Sequence, residues 1–331
     1  MGTPPLGGPT TTSESLSTAP PDDEIGRSRK TPHREDAMKS ATHDRSRRHV
    51  VQSEDGVSLA VREYGPVDAP VTAVFVHGHC LHTHSWARLR SRLTREWGAA
   101  VRMVFYDHRG HGESGSAPAH TYTIDQLGRD LDAVIREVVP TGPIVLIGHS
   151  MGGMTALAYA RQNPGAVGTR VVGVGLLSTA AGDITRSGLG RFLRHPLVSA
   201  FQFGVERLPR LSQRLLSLVL DNPTSVVTMY GFLRSLVGFD ESRSLAGLAE
   251  IPSLVLGGSS DMVTPFEHSV AIAANLPSAE LVRLGGAGHS VILDQAYEVA
   301  HALVRLVDRA AAHHAARQPA AYALAAASSA A

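Results

Sequence analysis

The chain has one cysteine in 331 residues, Cys80. It can form no internal disulfide and has no partner for a C-x-x-C redox pair or a zinc knuckle. So little cysteine suits a reducing compartment, and a cytoplasmic location is expected. An excess of one charge is also missing, since 31 Lys and Arg stand against 30 Asp and Glu. No large field exists to gather nucleic acid or anionic lipid, so nucleic acid is not expected as a partner. No window approaches the eighteen or so apolar residues that a spanning helix needs, which argues against stable membrane insertion. Residues 1–47, rich in Pro, Ser, Thr, Gly and charge, lack the apolar core of a signal peptide and read as a disordered leader, with Met38 an alternative start. Arg47-Arg48 precedes a polar-interrupted strand rather than an apolar segment, so it does not read as a twin-arginine signal. Residues 309–331 are dominated by alanine and continue no amphipathic stripe, so they read as a disordered tail.

What remains is an ordinary globular composition, 43% hydrophobic and 18% charged, long enough for one large domain. Residues 49–53 and 57–64 form an expected hairpin, with Val57, Leu59 and Val61 alternating with polar or small residues after an Asp55-Gly56 turn. Short apolar runs rich in β-branched residues follow at 71–76, 101–106 and 143–147, then at 171–177, 253–256 and 281–284. Helical patterns separate the first of them. One carries Trp86, Leu89 and Leu93; the next opens on Thr123-Ile124-Asp125-Gln126, which has the form of a capping box. Alternating strands and helices predict an α/β fold with a mostly parallel sheet covered on both faces. Residues 182–249 break the alternation with helix-like pieces at 192–205, 211–220 and 226–237, punctuated by Pro196, Pro209 and Pro223. They read as a helical cap inserted into a core of 48–181 and 250–308.

Gly148-His149-Ser150-Met151-Gly152 stands between a strand and a helix, the context in which G-x-S-x-G lifts a serine hydroxyl above the sheet edge. A serine hydroxyl is a weak nucleophile near neutral pH and needs an imidazole to take its proton. His289, in the glycine-rich loop after the final strand, is the candidate base. The imidazole needs a carboxylate to fix its tautomer, and Asp261 follows the strand at 253–256; Asp183, after the preceding strand, is the second candidate. The order Ser150, Asp261, His289 is the one this fold uses. An oxyanion requires two backbone N–H donors. Met151, directly after the nucleophile, supplies one, and the loop His77-Gly78-His79-Cys80 the other, with His79 preferred over Cys80. The crowding of His77, His79, Cys80, His82 and His84 invites a metal reading. No carboxylate lies nearby, and such close spacing on a turning loop rarely aims four ligands at one point, so no metal is expected.

His77-Gly78, the segment Asp107-His108-Arg109-Gly110-His111-Gly112-Glu113-Ser114, Gly148-His149-Ser150-Met151-Gly152-Gly153, Ser260-Asp261-Met262-Val263-Thr264-Pro265 and Gly286-Ala287-Gly288-His289 together resemble the successive motifs of the α/β-hydrolase superfamily. The resemblance spans about residues 48–309. It implies an eight-stranded, mostly parallel sheet with the site under a helical cap, supports Asp261 as the acid, and makes the Asp107 to Gly112 segment an architectural brace. The nearest branches are the haloperoxidase-like, carboxylesterase and monoacylglycerol-lipase-like ones. Epoxide hydrolases and haloalkane dehalogenases carry aspartate where this chain has Ser150. The expected activity is cofactor-independent cleavage of a small-molecule carboxylic ester with an apolar group, through an acyl-enzyme on Ser150. Perhydrolase, thioesterase or C–C bond hydrolase chemistry uses the same residues, and a low-turnover ligand-binding protein is a further alternative.

Overall fold

In a computed structural model the chain is described over residues 46–184, 224–236 and 238–328, with side chains to residue 317. The leader to residue 45, the cap pieces at 192–205 and 211–220 and the cap's apolar residues Leu189, Phe192, Leu193, Phe201, Phe203, Leu215 and Val219 lie outside the described residues.

Eight strands form one sheet: β1 (Arg47–Gln52), β2 (Ser58–Tyr64), β3 (Val71–Val76), β4 (Val101–Tyr106), β5 (Ile144–His149), β6 (Val171–Leu177), β7 (Ser253–Gly258) and β8 (Ala279–Leu284). Their order is β1-β2-β4-β3-β5-β6-β7-β8. The opening hairpin pairs antiparallel, β2 pairs antiparallel with β4, and every later pairing is parallel. Every residue of β3, β4, β5, β6 and β7 is buried. That burial is why these strands read as unbroken apolar runs instead of alternating patterns.

Helices cover both faces of the sheet: α1 (Ala87–Trp97), α2 (Ile124–Val138), α3 (Met151–Gln162), α4 (Val226–Leu236), α5 (Phe266–Ala273) and α6 (Ala296–Ser328). Leu89 and Leu93 of α1 share a cluster with Phe75, Phe105, Leu303 and Leu306 on one face. Leu131 and Val134 of α2 and Leu157 of α3 pack with Val74, Val104 and Leu146 on the other. The Thr123 side chain accepts from the Gln126 backbone N–H at 3.1 Å, as a capping box requires. The Gln126 amide turns instead to Asp130 and receives Arg129, so the box closes on one side only.

The C-terminal reading needs correction. Helix α6 continues to Ser328, well past residue 309, where a disordered tail was expected to start. Alanine is the strongest helix former, so an alanine-rich stretch can extend a helix without an apolar stripe. Arg309 donates to the carbonyls of Ser278 and Ser253. Ala310 is fully buried, and a Cβ on Gly173 would meet the Ala310 Cβ at 2.8 Å. Small residues on both partners bring this turn of the helix close to β6, a kind of packing that hydrophobic periodicity does not register.

The loop after β4 is braced by buried polar groups. Arg109, with no solvent exposure, forks onto both Asp130 and Asp55. Asp107 accepts the N–H groups of Thr83 and Glu113. No helix among the described residues is long and apolar enough to cross a membrane.

Candidate active site

The site lies at the carboxyl ends of β5, β7 and β8, where open parallel sheets present their loops to ligands. Ser150 sits between β5 and α3 with φ 52° and ψ −120°, a conformation that L side chains rarely adopt. The turn is held from several sides. The Ser150 N–H donates to Leu177 and its carbonyl accepts the Thr179 hydroxyl at 2.7 Å. Two glycines make the turn possible: a Cβ on Gly148 would lie 2.4 Å from the Gly152 carbonyl oxygen, and one on Gly152 would lie 2.0 Å from that of Val76.

Three side chains from distant parts of the sequence converge here. His289 Nε2 is 2.9 Å from Ser150 Oγ, and His289 Nδ1 is 2.8 Å from Asp261 Oδ2. The carboxylate fixes the proton on Nδ1, so Nε2 offers a lone pair to the serine hydroxyl. Burial by itself would raise the pKa of Asp261, but the His289 hydrogen bond and the Val263 and Thr264 N–H groups hold it below the ordinary carboxylate value. Asp183, the second candidate acid, is exposed; the carboxylate on His289 is that of Asp261. An imidazole placed in this way can draw the hydroxyl proton as the oxygen attacks, and the carboxylate can stabilise the resulting imidazolium.

The donors expected for an oxyanion are placed as follows. Met151 is the first residue of α3, where a helix leaves its N–H groups unpaired. Among the described residues, neither its N–H nor that of His79 donates to another protein group. The Cys80 N–H donates to His111 Nε2 at 3.2 Å and is thereby occupied. The loop bearing His79 abuts Ser150, since a Cβ on Gly78 would lie 3.1 Å from the Ser150 Cβ.

Some neighbours stand in the motifs but had no catalytic role assigned from the sequence. The Thr264 hydroxyl donates to Asp261 Oδ2 at 3.0 Å and stands 3.3 Å from His289 Nδ1. His149 reaches the His289 carbonyl. His77, in the loop after β3, forms a buried ring cluster with His108 and His111, with ring centroids 4.4 to 6.2 Å apart. Burial depresses the basicity of all three, to about 3 for His108 and about 4 for His111, and His77 falls well below the ordinary value. Among the described residues no group of three or more His, Cys, Asp or Glu is arranged to hold a metal ion. Phe232 of α4 packs against His79, His111 and Tyr122 and shares an apolar cluster with Met151 and Ile184.

Residues 73–302 match the alpha/beta hydrolase family. The chain belongs to that family. It is 26% identical over 269 residues to the AB hydrolase superfamily protein YisY of Bacillus subtilis, covering 75% of this chain and 94% of the relative. It is 25% identical over 270 residues to the 2-hydroxy-6-oxononadienedioate/2-hydroxy-6-oxononatrienedioate hydrolase of Burkholderia vietnamiensis, covering 75% of this chain and 91% of that one. Among solved structures, a thermophilic esterase from Thermogutta terrifontis superposes with a TM-score of 0.60 at 24% identity, covering 80% of this chain and 99% of the esterase. That likeness bears on the fold. For this hydrolase, the family match spans every motif from the end of β3 to the His289 loop.

Proposed function

We propose that this hydrolase cleaves a small-molecule carboxylic ester through an acyl-enzyme on Ser150. The unbroken hydrogen-bond path from Ser150 Oγ through His289 to Asp261 carries the reading. In the first half-reaction the hydroxyl proton passes to His289 Nε2 as Oγ bonds to the carbonyl carbon. The Met151 and His79 N–H groups hold the oxyanion. Collapse of the tetrahedral intermediate breaks the bond to the leaving oxygen, which takes the proton back from His289. A water, deprotonated by the same imidazole, then attacks the acyl carbon and releases the acid. No step calls for a metal or an organic cofactor. The packing of Phe232 on His79 and His111 supports an apolar wall for the acyl or alcohol group. The cysteine-poor composition supports action in the cytoplasm.

The experiment is fluorophosphonate labelling of the native protein and of Ser150→Ala, followed by a series of p-nitrophenyl esters of increasing acyl length. Labelling of the native protein only, with turnover of at least one ester, is expected. A native protein that resists labelling overturns the reading and favours ligand binding without turnover. A labelled serine that turns over none of the esters keeps the nucleophile and redirects the substrate to a thioester, a peroxy acid or a C–C bond.

A further inference from the structure

His149, the last residue of β5 and the one before the nucleophile, is 1% exposed. Its Nε2 lies 2.9 Å from the carbonyl oxygen of His289. A carbonyl can only accept, so Nε2 carries the proton and Nδ1 is left as a bare acceptor. That Nδ1 is buried and has no hydrogen-bond partner. It faces the oxyanion loop: a Cβ on Gly78 would sit 2.8 Å from it, so the ring occupies its place only because residue 78 has no side chain. The His149 ring centroid is 5.2 Å from that of His289 and 6.5 Å from that of Trp86, which lies nearly perpendicular to it.

His289 hangs from a loop with three glycines in the four preceding residues, Gly285, Gly286 and Gly288 around Ala287. Such a backbone has little conformational preference of its own and has to be held by outside contacts. Its ring is held at Nδ1 by Asp261 and at Nε2 by Ser150. Its backbone carbonyl accepts no backbone N–H among the described residues, and the His149 ring is the donor that anchors it.

We propose that His149 is a positioning residue that pins the backbone of His289 to the nucleophile turn, so that the distance between serine and imidazole is set by the residue next to the serine. The inference rests on the reading of Ser150 and His289 as nucleophile and base. Burial, and after it the charge of His289, holds the His149 pKa at about 4 against the smaller opposing pulls of the hydrogen bond to the His289 carbonyl and of Asp261. The ring therefore stays neutral through the working range, keeps its Nε2 proton, and adds no positive charge beside the imidazolium formed during turnover. A base displaced by about 1 Å can cost on the order of a hundredfold in rate.

Three measurements test this. His149→Leu removes the donor, whereas His149→Gln offers an amide N–H at a similar reach. With an ester that the native protein turns over, His149→Leu is expected to lower kcat about 10- to 100-fold with KM within about twofold, and to slow fluorophosphonate labelling in proportion. His149→Gln is expected to recover kcat to within about fivefold of native, at a Tm no higher than that of the leucine variant. Native kcat in His149→Leu, or a glutamine variant as slow as the leucine one, overturns the proposal. Should the leucine variant fail to fold, nitrogen-15 NMR of native protein decides. The His149 ring is expected to show a proton on Nε2 and none on Nδ1 from about pH 6 to 8, and a proton on Nδ1 overturns the assignment. If native protein resists labelling, the parent reading fails; if it labels and His149→Leu is native-like, the positioning role alone fails.

Discussion

His111 Nε2 accepts the backbone N–H of Cys80 at 3.2 Å, which ties the loop after β3 to the loop after β4 and leaves the N–H of His79 as the proposed oxyanion donor beside Ser150. Cys80 holds φ at 59°, a strained value for a residue with a side chain, so its loop needs such a tie. Replacing His111 by Leu removes this tie between the two loops. A fall in kcat of about tenfold with little change in KM is expected, because an oxyanion donor acts on the transition state more than on bound ester. Steady-state kinetics on one ester checks it, and an unchanged kcat would refute the role of the tie.

Asp261 holds the His289 tautomer, and Thr264 donates to the carboxylate oxygen that receives His289. Asp261→Asn is expected to cut kcat by about 1,000-fold or more while leaving Tm within a few degrees, since the amide can present the wrong group to Nδ1. Thr264→Val, which keeps the shape and removes the hydroxyl, is expected to cost about tenfold. A Thr264→Val enzyme of native rate would reduce that hydroxyl to packing.

Four buried histidines and the half-buried His79 make folding stability depend on pH. In the folded chain burial lowers His79 and His108 to about 3 and His111 and His149 to about 4, and His77 also falls well below its ordinary value. The unfolded chain binds these protons near pH 6.5 and the folded chain does not. Their contribution is therefore complete above about pH 6.5 and is lost as the pH falls from there toward 4, at up to about 1.4 kcal/mol per pH unit for each histidine. Urea midpoints measured between pH 7.5 and 5.0 should drop steeply across that window. A flat profile would mean that the rings are charged or solvated in the folded state.

Gly152 cannot carry a side chain. An added Cβ would sit 2.0 Å from the Val76 carbonyl oxygen, so β3 and α3 would have to separate beneath Ser150. Gly152→Ala is expected to lose more than about 4 kcal/mol of stability or to fail to accumulate in soluble form. Gly285→Ala, where a Cβ meets nothing within 4 Å, is expected to change stability by less than about 1 kcal/mol. Urea denaturation of the two variants side by side makes the comparison.

The local signals in the sequence were sufficient for the strands, because fully buried parallel strands require continuous β-branched runs, and β3, β4 and β6 begin and end where those runs do. The turn at Ser150 was equally legible, since only glycine fits at 148 and 152 and the strain at Ser150 follows from that spacing. The order of Ser150, Asp261 and His289 along the chain nominated the three side chains, but their meeting depends on three parallel strands ending at one edge, a relation no window of sequence contains. The same holds for His149, Thr264 and His111. Each acts through a hydrogen bond with a residue 140, 3 or 31 positions away, and polar residues at such spacings leave no periodic pattern to read. At the C-terminus, composition pointed the wrong way. Alanine looks featureless in sequence, yet at Ala310 its small size lets a helix settle onto Gly173, and only the packed structure shows the surface it fits.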